Sequence, residues 1–314
     1  MTDLVFCGTP LFAVPVLEKL VATGFSVRLV VTQPDRARGR GMELAASPVK
    51  LSALERGLTV VQPDKIKRNE EFRALLEIIR PDAIIVVGYG RILPQWMIDL
   101  PRLGNINLHA SLLPKYRGAG PIQWAIANGE TTTGVTTMRI DVGLDTGDIL
   151  LQAEEPILPE DTSLTLSPRL AHRGAELMIS TLAGLAKGTL YPQKQNDAKA
   201  TLAPILKRED GLIDFSRTAI EAWNRLRGFQ PWPGAFTTFR GKIFQLCAAV
   251  PSREVANVEA GHFFVENDRL LLGFARSSAL EVLEVQVEGK KRMSARDFVN
   301  GYRPRSHEPL GATA

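Results

Sequence analysis

Two polar residues, Asn107 and His109, lie in a short run of the sequence, NINLH (105–109), whose pattern is typical of a β-strand. Side chains alternate between the two faces of a strand, so these two point the same way, roughly 6 to 7 Å apart along the strand. The run breaks at SLLP (111–114) and a glycine-rich turn, where a loop opens. Ligands bind at this end of the strands in open α/β sheets, so the pair marks a candidate site.

The residue types of this pair suit acyl transfer. An imidazole with an ordinary pKa of about 6.5 can accept a proton near neutral pH, and a carboxamide can donate to a developing oxyanion. A carboxylate that orients the imidazole would complete the set, and the loop DVGLDTGD offers Asp141, Asp145 and Asp148. Their spacing does not match a calcium loop, so we predict no metal. Ordinary polar residues at a strand end and in a turn remain the alternative.

Alternating strand and helix patterns through about residue 110 predict a doubly wound, mostly parallel α/β sheet. We expect helices to begin after Thr9, Ser47 and Asn69, each of which is a typical capping residue. A further helix is predicted over 163–188. The first turn, GTPLFA, lacks the second and third glycines of the dinucleotide-binding fingerprint, so we do not expect a dinucleotide.

The chain divides into two predicted domains. Residues 191–206 have no apolar periodicity and are interpreted as a linker between a Rossmann-like domain over 1–190 and a second domain over 207–314. Apolar runs joined by Gly or Asn-Asp turns predict that the second is a small antiparallel, OB-like β-barrel domain. A closing helix is expected to begin at Ser294.

The composition is that of an ordinary globular protein, with 45% hydrophobic and 23% charged residues among 314. No apolar run approaches the roughly 18 residues of a membrane span, and Met1–Asp3 lead into a strand without a basic leader, so we expect a cytoplasmic protein.

Cys7 and Cys247 lie in apolar runs and are expected in the core. Residues 207–314 carry 16 Lys or Arg against 13 Asp or Glu, which mildly favours a polyanionic partner.

Two longer motifs, NLHASLLPKYRGAGPI (107–122) and DVGLDTGDIL (141–150), together resemble the 10-formyltetrahydrofolate-dependent formyltransferases. The segments FCGTPLFA, TQPDRARGRG, SPVK, YGRILP and FQPWPGAF are most similar to the branch of that family that acts on initiator methionyl-tRNA. The similarity covers essentially the whole chain. It implies that Asn107, His109 and Asp145 are the catalytic residues.

The resemblance also implies binding sites. For the folate it implies a pocket made largely of backbone groups, from Arg91, Ile92, Ser111, Leu112, Leu113, Pro114, Val142, Gly143, Leu144 and Asp145. For the tRNA it implies contacts from the basic loop 34–50, through Arg36, Arg38 and Arg40, of which Arg40 best matches the family's critical arginine. The basic candidates in the second domain are Lys207, Arg208, Arg225, Arg227, Lys290, Lys291 and Arg292. Each of these is, alternatively, a solvated surface charge.

The activity implied by the resemblance is transfer of a formyl group from 10-formyltetrahydrofolate to the α-amino group of methionine on initiator tRNA, in translation initiation. Tetrahydrofolate is then the second product of the reaction. We expect the protein to be a monomer. An α-amino group has a pKa of about 8, so part of it is neutral and no covalent nucleophile is required. A formyltransferase acting on another amine, a formyltetrahydrofolate hydrolase and a non-enzymatic RNA-binding module remain alternatives.

Overall fold

The computed structural model describes residues 2–38, 43–252, 258–266 and 269–311. Contacts group the chain into two compact units. The first consists of Met1–Pro121, Thr132–Pro156 and Ser167–Pro204, and the second of Ile122–Thr131, Ile157–Leu166 and Ile205–Ala314. Most of the stretch that we interpreted as a linker therefore groups with the first unit.

The strands of the first unit are β1 (Asp3–Gly8), β2 (Ser26–Val31), β3 (Arg36–Arg38), β4 (Glu43–Ala45), β5 (Val60–Val61), β6 (Ala83–Val87), β7 (Asn105–His109), β8 (Thr132–Arg139) and β9 (Ile149–Pro156). The helices up to residue 204 are α1 (Val14–Ala22), α2 (Pro48–Glu55), α3 (Glu70–Ile79), α4 (Gln95–Ile98), α5 (Pro121–Ala127) and α6 (Ser163–Ala186). Short 3-10 turns cover Leu11–Ala13 and Asp197–Lys199.

Seven strands of this unit form one sheet in the order β5-β2-β1-β6-β7-β8-β9. The pairs from β5 to β7 are parallel, and β7–β8 and β8–β9 are antiparallel. Every residue of β6 is buried, as expected for a central strand that is covered on both faces. The predicted Rossmann-like, mostly parallel sheet is confirmed.

Two of the predicted helix caps are confirmed and one is wrong. The side chains of Ser47 and Asn69 each accept a hydrogen bond from the backbone N–H three residues later, at 3.1 and 3.0 Å. Thr9 caps no helix, because a 3-10 turn intervenes and α1 begins only at Val14. The Thr9 hydroxyl instead accepts a hydrogen bond from the backbone of Gln33, at 3.4 Å, and so ties the first turn to the end of β2.

Strand β7 lies inside the sheet and carries the two polar residues to its carboxyl end. Asn107 and His109 pair in register with Met138 and Thr136 of β8. Helix α6 packs closely on the same strand, since a Cβ at Gly174 would lie 2.4 Å from the side chain of Leu108. Pairing with β8 and packing against α6 therefore hold β7 in place.

The second unit contains the strands β10 (Ala235–Phe239), β11 (Lys242–Pro251), β12 (Phe263–Glu266), β13 (Arg269–Phe274), β14 (Ser278–Val287) and β15 (Met293–Ser294), the 3-10 turn Arg208–Gly211, and the helices α7 (Ala219–Gly228) and α8 (Ala295–Tyr302). Its sheet is entirely antiparallel in the described residues, with the order β10-β11-β14-β13-β12 and with β15 beside β14. The predicted antiparallel β domain is confirmed, and Ser294 caps α8 by accepting a hydrogen bond from the Asp297 backbone at 3.0 Å.

Four rings form the centre of this second core, which we name the phenylalanine cluster: Phe239, Phe244, Phe263 and Phe298. Each is at most 2% exposed, and the six centroid distances among them lie between 5.2 and 6.1 Å. These distances are in the favoured range for aromatic pairs. Strands β10, β11 and β12 and helix α8 are thus held together by one apolar contact region.

The segment 307–311, which we name the closing segment, bridges the two outer strands of this sheet. It exchanges hydrogen bonds with Phe263 of β12, from the His307 N–H to the Phe263 carbonyl at 2.7 Å and from the Phe263 N–H to the Glu308 carbonyl at 3.0 Å. On the other side, the Gly311 N–H donates to the Thr238 carbonyl of β10 at 3.0 Å. Edge groups that would otherwise be open are thereby paired.

Two further expectations concern membranes and cysteines. Within the described part of the chain, no helix combines the length and the apolar character that a membrane crossing requires. Cys7 is fully buried, which raises the pKa of its thiol, whereas Cys247 is only half-buried, and both are free thiols.

Candidate active site

His109 occupies the end of β7 and is only 6% exposed. Its Nε2 donates a hydrogen bond to the Tyr116 carbonyl at 2.8 Å, and its Nδ1 lies 3.6 Å from Asp145 Oδ2. Both ring nitrogens therefore face an oxygen acceptor, and a neutral imidazole has a single N–H for the two. A proton added at Nδ1 would lie directly beside the carboxylate.

Of the three aspartates in the loop 141–148, Asp145 is the one that faces the imidazole. Asp141 is a turn residue, whose carboxylate accepts hydrogen bonds from the Gly143 N–H at 3.0 Å and the Thr146 hydroxyl at 2.8 Å. Asp148 acts on Arg139: burial lowers the pKa of that guanidinium, and the charge of Asp148 opposes the shift. The path of the loop thus brings Asp145, of the three aspartates, to within 3.6 Å of the imidazole.

Asp145 and Gly118, which are joined by a hydrogen bond, both have an unusual backbone conformation. Asp145 has a φ of +52°, a left-handed conformation that is costly for a residue other than glycine. Its Oδ2 accepts a hydrogen bond from the Gly118 N–H at 2.8 Å. Gly118 has a φ of +120°, and a Cβ there would lie 2.6 Å from the Ala203 carbonyl oxygen, so only glycine fits.

The two asparagines of β7 differ in their surroundings. Asn105 is buried, and its Nδ2 donates to the carbonyls of Met97 and Ile98 at 3.1 and 2.8 Å, so it anchors the end of α4. The half-buried carboxamide of Asn107 makes no hydrogen bond to the residues that the structure describes. Asn107 is therefore able to donate to a ligand at the carboxyl end of β7.

The loop after β7 is fixed through its backbone. The Thr136 hydroxyl donates to the Ser111 carbonyl at 2.6 Å, the Leu113 N–H donates to that hydroxyl at 3.2 Å, and Gln152 Nε2 donates to the Leu113 carbonyl at 2.9 Å. Of the residues predicted here for the folate pocket, Ser111 and Leu113 are buried and Leu112 and Pro114 are half-buried.

The remaining residues of the predicted folate pocket are more open. Ile92, Val142 and Leu144 are 91%, 87% and 64% exposed, and Gly143 is exposed as well. Arg91 is half-buried, and its Nη1 donates to the Asp64 carbonyl. Large apolar side chains that project into solvent are free to gain burial against an apolar ligand surface.

The sequence did not identify a third segment that touches this site, residues 193–203, which we name the strap. Its Gln193 exchanges backbone hydrogen bonds of 2.8 Å with Ile149 at the start of β9. Thr201 Oγ1 accepts from the Tyr116 N–H at 2.9 Å, and Gln195 Nε2 donates to the Asp145 carbonyl at 2.8 Å. These partners lie 85 and 50 residues away along the chain, and the strap has no periodic pattern that would have revealed them.

The basic loop is described only in part. Arg36 is exposed, and its Nη2 donates to the Gln33 side chain at 2.7 Å. Arg38 lies in β3, but the placement of its side chain is not described, and Arg40 lies outside the described residues.

The basic candidates of the second unit fall into two groups. Lys207, Arg208, Lys290, Lys291 and Arg292 are exposed, although Arg292 forms an ion pair with Glu284. Arg225 is half-buried, lies 4.7 Å from the Phe229 ring centroid and donates to the Asp210 carbonyl at 3.0 Å.

Arg227 requires a correction. It is 8% exposed, donates to the Asp161 carbonyl and to Asn224 Oδ1 at 2.7 and 2.6 Å, and lies 4.1 Å from the Trp223 ring centroid. Burial lowers the pKa of this guanidinium. A guanidinium enclosed in this way does not reach a phosphate at the surface, so we remove Arg227 from the residues predicted to contact tRNA. The sequence pattern could not distinguish a buried arginine from a solvated one.

No cluster of three or more His, Cys, Asp or Glu side chains suited to a metal ion occurs in the ranges for which the structure gives positions.

Comparisons with known proteins cover both units. Residues 2–182 match the family model described as formyl transferase, and residues 205–303 match formyl transferase, C-terminal domain. The chain is 67% identical over 308 residues to the methionyl-tRNA formyltransferase of Koribacter versatilis, covering 98% of each chain. It is 60% identical over 309 residues to the methionyl-tRNA formyltransferase of Acidobacterium capsulatum, covering 98% of this chain and 99% of that one.

Solved structures share the fold at lower identity. One is an N-formyltransferase from Helicobacter canadensis in complex with folinic acid and dTDP-3-aminofucose, with a TM-score of 0.67 and 20% identity over 90% of this chain and 99% of that one. Another is HypX from Aquifex aeolicus in complex with tetrahydrofolic acid, with a TM-score of 0.60 and 17% identity over 96% of this chain and 47% of that one.

Proposed function

The chain belongs to the formyltransferase family, within its methionyl-tRNA branch, and we propose that it transfers a formyl group from 10-formyltetrahydrofolate to the α-amino group of methionine on initiator tRNA. The observation that carries this proposal is the identity of 67% over 98% of the chain to a methionyl-tRNA formyltransferase. The approach of Asp145 to His109, on the same strand as an Asn107 carboxamide that has no hydrogen bond to a described residue, supports it.

In the proposed reaction the amine nitrogen bonds to the formyl carbon, and the carbonyl oxygen becomes an oxyanion that Asn107 Nδ2 stabilises. An oxyanion donor of this kind contributes about 10²- to 10³-fold in rate. His109 accepts the amine proton at Nδ1 while Nε2 stays bonded to the Tyr116 carbonyl, and Asp145 stabilises the resulting imidazolium. The intermediate collapses as the bond from carbon to the folate nitrogen breaks, and that nitrogen takes the proton. General acid–base transfer contributes about 10²- to 10⁴-fold.

The proposed substrate sites follow the same family membership. The folate is proposed to lie along Arg91, Ile92, residues 111–114 and residues 142–145. The tRNA is proposed to contact Arg36, Arg38 and Arg40 in the basic loop and the other cations of the second unit: Lys207, Arg208, Arg225, Lys290, Lys291 and Arg292. Contacts of this kind to phosphates would make tRNA binding weaken with salt. The proposal includes a catalytic domain over 1–190, a tRNA-binding domain over 207–314, and a cytoplasmic monomer.

The test supplies 10-formyltetrahydrofolate together with charged initiator tRNA, charged elongator tRNA, free amines or water, in parallel reactions. We expect efficient formylation of the initiator methionyl-tRNA alone. Formylation of a free amine or amino sugar at an equal rate would favour a different acceptor, and release of formate without an acceptor would favour a hydrolase. RNA binding without any formyl transfer would reject the enzymatic proposal.

A further inference from the structure

We propose that Gln195 is a positioning residue for the proposed formyl transfer, which holds Asp145 against His109, and that Arg117 orients the Gln195 amide. The inference rests on the proposed function for its kinetic consequence. Its structural content stands on hydrogen bonds within the first unit, all of them between described residues.

Gln195 contacts the main chain of the Asp145 loop at two points. Its Nε2 donates to the Asp145 carbonyl at 2.8 Å and to the Gly147 carbonyl at 2.7 Å. The side chain is only 5% exposed, so water competes little for either acceptor. Because Asp145 is held in the left-handed region, where a residue with a side chain is strained, the loop needs such contacts to stay in place.

Arg117 determines which way the Gln195 amide faces. Its Nε and Nη2 donate to Gln195 Oε1 at 3.0 and 2.8 Å. The reversed amide would set an NH₂ group against the guanidinium and an oxygen against two carbonyls, so only one orientation satisfies both sides. Arg117 is itself 7% exposed and forms an outer ion pair with Asp197 at 2.7 Å.

The same network reaches the Asp145 carboxylate. Gly118, which follows Arg117 in the chain, donates its N–H to Asp145 Oδ2. The backbone of Arg117 in turn pairs with the strap, from its N–H to the Thr201 carbonyl at 2.9 Å. The backbone of Asp145 and its carboxylate are thus fixed by one closed set of hydrogen bonds, in which Gln195 is the buried link.

The experiment compares Gln195→Met, which keeps the length of the side chain but removes the amide, with Gln193→Met, whose exposed side chain lies in the same strap. We expect Gln195→Met to lower kcat by about 10- to 100-fold, since a small misplacement of a catalytic group has costs of this order. KM for the folate and for the tRNA should change by less than about threefold, and Gln193→Met should behave like the unmodified protein.

A second readout does not depend on activity. Amide hydrogen exchange at Gly118, measured by NMR, reports whether the Asp145 carboxylate still accepts that hydrogen bond. We expect Gln195→Met to speed Gly118 exchange toward the rate of an Asp145→Ala reference, while Gln193→Met leaves it unchanged. If the unmodified protein transfers no formyl group, the proposed function fails, whereas the exchange rates still decide the positioning role.

A third variant distinguishes loss of the Gln195 amide donor from a folding defect in Gln195→Met. Gln195→Glu can still accept from Arg117 but cannot donate to the two carbonyls, so it should show the same loss of kcat and of Gly118 protection. Unchanged kcat and protection in a folded Gln195→Met or Gln195→Glu variant would overturn the proposal. A fall in kcat with full Gly118 protection would also overturn it, because Gln195 would then act by another route.

Discussion

Two regions, one in each unit, are held together by different kinds of contact. At the carboxyl end of β7, directional hydrogen bonds from Arg117 to Gln195, from Gln195 to the Asp145 carbonyl and from His109 to the Tyr116 carbonyl set the positions of single atoms. In the second unit, the phenylalanine cluster holds the strands and the helix together through apolar contacts, which are not directional. The difference indicates that changes in the first region affect chemistry more than stability, and that changes in the second do the reverse.

The largest expected effect is on the rate, from the two side chains of β7. We expect His109→Ala to lower kcat by about 10²- to 10⁴-fold and Asn107→Ala by about 10²- to 10³-fold. Because the Asn107 carboxamide has no hydrogen bond to the described residues, its loss should change the free energy of unfolding by less than about 1 kcal/mol. Single-turnover kinetics and thermal unfolding of the same preparations check this, and unchanged turnover in either variant would reject that residue's role.

The second prediction concerns the stability of the second unit and not the rate of the reaction. Phe298→Ala should lower the free energy of unfolding of the second unit by about 3 to 5 kcal/mol, since it removes a fully buried ring from the phenylalanine cluster. Phe264→Ala, next to Phe263 of the cluster in β12 but with a half-buried ring, is the control and should cost less. Denaturant unfolding followed by amide exchange within the second unit measures both. Equal losses would mean that the cluster is not the centre of that core.

The smallest expected effect concerns pH. Bidentate hydrogen bonds from Arg240, at 2.6 and 2.9 Å, hold the pKa of Glu308 in the closing segment below its usual range. A carboxyl whose folded pKa is depressed stabilises the fold above its unfolded pKa of about 4.3, and this contribution is lost as the pH falls through the folded value. Acid unfolding of Glu308→Gln should therefore show a shallower loss of stability below about pH 4.3. An identical pH profile in the two proteins would contradict the assignment.

Much of the fold could be read from local patterns. The strand NINLH, the caps at Ser47, Asn69 and Ser294, and the run of antiparallel strands all rest on short-range rules of backbone geometry and burial. The start of α1 was wrong because a 3-10 turn and a long-range bond to Gln33 outweighed the local signal at Thr9.

The candidate site was only partly predictable, for a physical reason. Its polar residues on β7 are close in sequence, but the partner of His109 depends on how the loop 141–148 returns to the end of the strand. Gln195 was missed because its partners are set by the fold and not by any periodicity. Arg227 was misjudged because charge alone does not reveal burial.

The closing segment also bears on how the protein is made. Strands β10 and β12 leave the ribosome before residues 307–311, so for a time both have unpaired edges. During that interval each edge is open to pairing with a neighbouring nascent chain, so this domain is more exposed to aggregation before the closing segment docks than after it. A chain truncated before residue 307 would present a sheet whose outer strands lack this bridge.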